Sequence, residues 1–169
     1  MHRTIFPRQV AIALALTIVP GAILTRPLQA QDGSGERFSI LVPAFANKSG
    51  GKNSFGEKVA DEVNKRLQNM PTHRPTEMRS LRADFKRLGI KEEDLSSPTD
   101  GCIKLRQFAG LVGITNIMCG EYEPNGTGGN ITARIINPTT QDVFEIEGFT
   151  AADPKQAAEQ IVAKFQGYV

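Results

Sequence analysis

The chain has 169 residues, 22% of them charged, with 20 Lys and Arg against 18 Asp and Glu, two cysteines and no tryptophan. That length suits one domain and not several. The slight positive surplus sits in the first thirty residues, where Arg3, Arg8 and Arg26 face no acid; the rest holds 17 basic against 18 acidic residues, which removes the simplest ground for nucleic acid or an anionic membrane as partner.

The N-terminus carries its own signature. Met1–Arg8 is basic, Val10–Val19 is an almost unbroken apolar run, and Leu28-Gln29-Ala30 offers a small residue before Gln31. A basic start, a short apolar stretch and a small residue at the cut describe a secretory signal peptide, here expected over residues 1–30. A membrane anchor would need roughly 20 uninterrupted apolar residues, and Pro20-Gly21 break the run. No cysteine stands near the cut to take a lipid. The expected product is an exported chain without stable membrane insertion, in the periplasm or secreted beyond it.

Residues 31–37 form a polar, Gly-rich lead-in, and residues 38–169 read as a single domain. Phe38–Phe45 is a short apolar run expected to be a buried strand, with Pro43 marking an edge or bend. After the loop Ala46–Asn53, Ser54-Phe55-Gly56-Glu57 matches a capping box, and Phe55, Val59, Val63, Leu67 and Met70 fall on one helical stripe that Pro71 ends. His73–Met78 reads as a weak strand. Ser80 is expected to cap Leu81–Leu88, with Gly89 at its C-terminal end. Lys91–Asp100 reads as a loop. Cys102–Val112 follows as a helix with Leu105, Phe108, Ala109 and Val112 inward, closed by Gly113.

Thr115–Tyr122, Ile131–Asn137 and Val143–Phe149 then read as three strands of a meander, turned at Asn125–Asn130 and Pro138–Asp142. Asp153-Pro154-Lys155-Gln156 is a second capping box, with Pro at the first helical position. The closing helix is expected to bury Ala157, Ile161, Val162 and Phe165. Together these elements predict an α/β (α+β) domain: a mixed four- to five-stranded sheet packed with three to four helices.

Three segments resemble the N-terminal domain of TolB and its CsgG-like and LpoB-like relatives among envelope proteins. FSILVPAFANKSG is similar to their opening strand and loop, CIKLRQFAGLVGITNIMCGEY to their helix, Gly turn and strand, and NITARIINPTTQDVFE to their hairpin, with Gln141 where those proteins commonly have Gly. The resemblance spans Phe38–Val169 and implies an architecture more than an activity. Neither the propeller of TolB nor the lipid-attachment Cys of the CsgG-like and LpoB-like members is expected here.

The inventory of chemistry is thin. The second histidine, His2, belongs to the leader, so His73 stands alone, with no further His or Cys at ligand spacing for zinc and no nucleophile to serve. It reads as a surface or strand-end residue. The loop Ser49–Ser54 lacks the G-x-x-x-x-G-K-[ST] frame of a phosphate loop. Glu121 with Glu123, and Glu145 with Glu147, share strand faces, a pattern that could serve glycoside hydrolysis but more often marks the solvent side of an alternating strand. No catalytic residue, metal site or cofactor is expected.

Cys102 and Cys119 fall at similar levels on neighbouring elements, without the spacing fixing whether their Cα atoms come within about 7 Å. In an oxidising compartment such an even pair is expected to bridge.

The expected function is therefore non-catalytic: binding of another periplasmic or outer-membrane protein. The candidate contacts are the loop residues Asn47, Lys48, Ser49 and Lys52, together with Asn125 and Asn130. A small hydrolase using the paired carboxylates and a homo-oligomeric subunit of a CsgG-like assembly are the alternatives.

Overall fold

In the computed structural model, residues 37–168 are described, so the expected leader and most of the lead-in lie outside the described residues. The first strand, β1 (Phe38–Leu41), stops two residues before Pro43 and not at Phe45 as the apolar run suggests. Pro43 has no N–H to give a sheet, so the ladder breaks there. The chain bends and returns as a two-residue strand, β2 (Ala46–Asn47), paired with the later strand β4 (Asn116–Asn125) at Glu121 and Tyr122.

Helix α1 (Ser54–Leu67) buries Val59, Val63 and Leu67, as its stripe predicts. Its start differs from the expected capping box. Asn53 holds the cap position and Ser54 is already helical, and the cap makes no side-chain hydrogen bond. The helix start packs closely on the β1–β2 loop: Phe45 N donates to the Gly56 carbonyl, and a β-carbon on Gly56 would lie 2.0 Å from Phe45 O.

The C-terminal end of α1 is closed by a residue that sequence reading left in the lead-in. The Arg37 guanidinium donates to the carbonyls of Leu67, Gln68 and Met70, at and just past the helix end, and to that of His73 a few residues on, which brings a cation to the negative end of the helix. Strand β3 (His73–Thr76) follows. A 3-10 turn at Met78–Leu81 then leads into α2 (Arg82–Leu88), so Ser80 does not cap that helix; its hydroxyl bonds the Glu77 carbonyl. Gly89 ends α2 in the left-handed conformation, φ 66°. The expected loop Lys91–Asp100 contains another 3-10 turn, Glu92–Ser96, which anchors Leu95 in the core.

Helix α3 (Gly101–Val112) precedes β4, which forms a meander with β5 (Gly128–Ile136) and β6 (Val143–Ala151). Only Gly126 and Thr127 separate β4 from β5, and Gly126 supplies the positive φ, 60°, that so short a hairpin needs. In the turn before β6, Gln141 has φ 65°, the one non-glycine residue there among those described. The glycine expected from the resemblance would adopt this geometry freely, whereas a side chain costs about 1 kcal/mol. Closing helix α4 (Pro154–Gln166) starts as predicted: Asp153 Oδ1 accepts from the amides of Lys155 and Gln156, and Gln156 Oε1 accepts from Ala152 N.

The sheet order is β3-β1-β4-β5-β6, with β2 beside β4; β1 runs parallel to β3 and β4, and the meander is antiparallel. Alternate residues feed two apolar clusters. Ile40, Met118, Ile131, Ala133 and Ile135 pack with α1 and α4, while Leu41, Ile117, Cys119 and Ile136 pack with α2, α3 and Leu95. The first cluster extends under all of β5 and β6. The second ends at Cys119 and Ile136, so Thr132, Arg134, Glu145 and Glu147 stand exposed on an uncovered sheet face.

Candidate functional site

That uncovered face is where several of the sequence-selected residues meet. The loop after β2 is built around Asn47, whose Oδ1 accepts from Ser49 N (3.0 Å) and whose Nδ2 donates to Lys52 O (3.2 Å). Asn47 therefore shapes the loop, and Ser49 and Lys52 sit exposed on it. Lys48 N bonds Tyr122 O at 3.0 Å, which fixes the Lys48 position beside β4. Asn130 lies in β5 and its Oδ1 accepts from Thr150 Oγ1 at 2.8 Å. Lys48 and Asn130, far apart in sequence, line one depression of about 270 Å3 with Glu123. Asn125, at the hairpin tip, is exposed and outside it.

A larger groove of about 520 Å3 adjoins the same Lys48. Its floor carries Glu121, Thr132, Arg134, Glu145 and Glu147; its wall is the segment Ser96–Thr99 with Ile103 of α3. The floor is irregular because the β5–β6 register shifts between Ile131 and Ala133, so that Glu147 and Gly148 both oppose Thr132. Sequence reading placed Glu121, Glu145 and Glu147 on strand faces but did not bring them together, and it missed Ile103. The signal for Ile103 was present: it is an apolar residue off the inward stripe of its helix, and it is 54% exposed.

Cys102, at the start of α3, and Cys119, in β4, are joined by a disulfide with Cα atoms 5.7 Å apart, within the range the chemistry requires. Both line the groove. The bond fastens the groove's wall to its floor.

His73 is not a surface residue. It is 3% exposed, edge-on to Phe165 at 4.7 Å. Asn116 Nδ2 can only donate, so Nε2 accepts its bond (3.2 Å) and the ring proton sits on Nδ1, facing Thr72 Oγ1 (3.0 Å). Burial, and then the positive charge of Arg37, push the His73 pKa below the ordinary value. The unfolded chain takes up a proton near pH 6.5 while the folded chain resists it. Stability is thus fully present above that pH and is lost as the pH falls toward the depressed folded value. Urea midpoints measured at about pH 7.5 and about pH 5.5 are expected to fall for the native chain and to fall less for His73→Gln, since glutamine does not titrate. Equal drops in the two proteins would refute this assignment.

Acid–base work on a glycosidic bond calls for one carboxyl sheltered from water. Here Glu123, Glu145 and Glu147 are exposed and Glu121 is partly so, on an open floor. Among the described residues no group of three or more His, Cys, Asp or Glu is placed to hold a metal ion. Nor, among them, is any helix long and apolar enough to cross a membrane.

The arrangement is that of a mixed-sheet α/β domain of the LpoB-like and TolB-like type. The LpoB C-terminal domain from Salmonella enterica matches with a TM-score of 0.51 at 16% identity, over 71% of this chain and 84% of that one. The LpoB C-terminal domain from Escherichia coli matches with 0.53 at 18% identity, over 66% of this chain and 80% of that one. TolB from Acinetobacter baumannii matches with 0.50 at 12% identity, over 79% of this chain but 29% of that one. No protein-family profile matches the sequence, and no curated protein does. The likeness is one of fold. It bears on the LpoB-like and TolB-like parts of the expected resemblance and not on the CsgG-like part.

Proposed function

We propose that this is an exported envelope domain that works by binding another periplasmic or outer-membrane protein, without catalysis of its own. The observation that carries the reading is the uncovered sheet face. Among the described residues, helices cover one face of the sheet throughout but leave the other open over β6, most of β5 and the far half of β4, and there the loop residue Lys48 and the strand residue Asn130 border a shared depression. An open, polar surface with scattered apolar residues suits protein contact better than enclosure of a small substrate. The leader expected over residues 1–30 and the LpoB-like and TolB-like fold support an envelope setting.

Crosslinking in intact native cells with a lysine-reactive reagent, followed by mass spectrometry, tests this. One defined envelope protein recovered across replicates is the expected result. Only abundant, irreproducible neighbours would count against it, and adducts of the chain with itself alone would favour the homo-oligomeric subunit.

A further inference from the structure

Helices α1 and α4 seal one side of the meander, whereas among the described residues its other side is bare beyond the reach of α3 at Cys119 and Ile136. The bare side is distinctive in charge. It presents four carboxylates, Glu121, Glu123, Glu145 and Glu147, against two cations, Lys48 and Arg134. The ion pairs found among the described residues lie elsewhere, at Glu62–Lys65, Glu77–Arg79, Asp84–Arg87 and Asp100–Lys104. Even Arg134, directly across the ladder from Glu145, does not close a pair with it. The carboxylates are therefore free to meet cations from outside.

Beside them two apolar side chains stand in water: Ile103, 54% exposed in the groove wall, and Val143, 51% exposed at the start of β6. Apolar residues next to an unsatisfied charged field are the composition of a contact surface, the apolar part supplying affinity and the charges supplying choice of partner.

We propose that this face docks a protein segment carrying Lys and Arg side chains, laid along the groove between the Ser96–Thr99 wall and β6, with an apolar side chain set against Ile103. The sign of the field selects the occupant. Four carboxylates and two cations leave an excess of negative charge that attracts a basic segment and repels an acidic one. This deepens the partner-binding reading and rests on it.

The full chain is expressed in its native cells with a photoreactive phenylalanine derivative in place of Thr132, on the groove floor, or of Lys164, exposed on α4 beneath the opposite side of the sheet. The expected result is one defined protein adduct from position 132 whose crosslinked peptide is net basic. Its yield should fall about tenfold when Glu121, Glu145 and Glu147 are all changed to Lys, a loss equivalent to about 1.4 kcal/mol. Should that variant fail to fold, as judged by circular dichroism, E145Q with E147Q keeps the shape and is expected to lower the yield about threefold, about 0.65 kcal/mol. A defined adduct from position 164 alone, a neutral or acidic crosslinked peptide, or a yield indifferent to the substitutions would each overturn the docking face while leaving partner binding intact; a second copy of this chain as the sole adduct would overturn the docking face and favour the homo-oligomeric subunit. No defined adduct from either position would remove both.

Discussion

Replacing Phe45 by alanine is expected to cost about 4 kcal/mol, the middle of the range for a fully buried aromatic ring. Phe45 is 0% exposed, and it sits in the bend that Pro43 forces between β1 and β2. Its ring fills the space over Gly120 in β4. A β-carbon at position 120 would lie 2.2 Å from Phe45 Cε1 and 2.3 Å from Cδ1. Glycine is required at 120 because the ring has nowhere else to go, so Gly120→Ala alone is expected to cost about 2 kcal/mol through overpacking.

The two effects share one cause and should not add. With the ring removed, an alanine at 120 loses its two tightest contacts, and Thr132 O at 2.9 Å can be relieved by a shift of a few tenths of an ångström. The double variant is expected to lie within about 1 kcal/mol of Phe45→Ala, a coupling of more than 1 kcal/mol. Urea denaturation of the four proteins measures the cycle. Additive costs would show that the two positions are independent and that the bend packs otherwise.

The elements that were legible in the sequence are those fixed by local chemistry. Asp153-Pro154 dictates the start of α4 through side-chain oxygens a few atoms from the amides they cap, and the alternation of Ile131, Ala133 and Ile135 dictates which side of β5 is buried. What was not legible depended on contacts between distant segments. Ser54-Phe55-Gly56-Glu57 matches a capping box as well as Asp153-Pro154-Lys155-Gln156 does, yet it goes unused: the helix starts one residue earlier, from Asn53, where its first turn packs on the backbone of Phe45. Arg37 looks like part of a linker until three carbonyls at the far end of α1 and that of His73 in β3 turn out to surround it.

The same division holds for the site. Local pattern placed Glu121, Glu145 and Glu147 on outward strand faces. That those faces share one groove follows from the order β4-β5-β6 together with the short reach of α3, and neither has a local signature. His73 shows the limit from the other direction. A histidine at a strand start gives no sign of burial, which here comes from Phe165 and Asn116, more than forty residues away in sequence.

Cleaving the bond between Cys102 and Cys119 is expected to cost about 3 kcal/mol. The bridge closes a loop of seventeen residues' separation, and constraining a loop of that length in the unfolded chain is worth about that much. Cys102→Ala with Cys119→Ala should reproduce the loss, and dithiothreitol should lower the urea midpoint of the native chain but leave that of the double variant unchanged. The consequence should also be local. Cys102 lies in the first turn of α3, next to the Ser96–Thr99 wall and Ile103, and Gly101 packs so closely that a β-carbon there would lie 2.7 Å from Leu95 O. Without the bridge, Leu105, Phe108 and Ala109 still hold the middle of α3 to the sheet, but its first turn loses its covalent tie. Amide exchange should therefore quicken at residues 97–103 ahead of the rest of α3. A midpoint shift worth under about 1 kcal/mol, or exchange that quickens uniformly along the helix, would mean that apolar packing alone sets the groove wall and that the bridge is incidental to it.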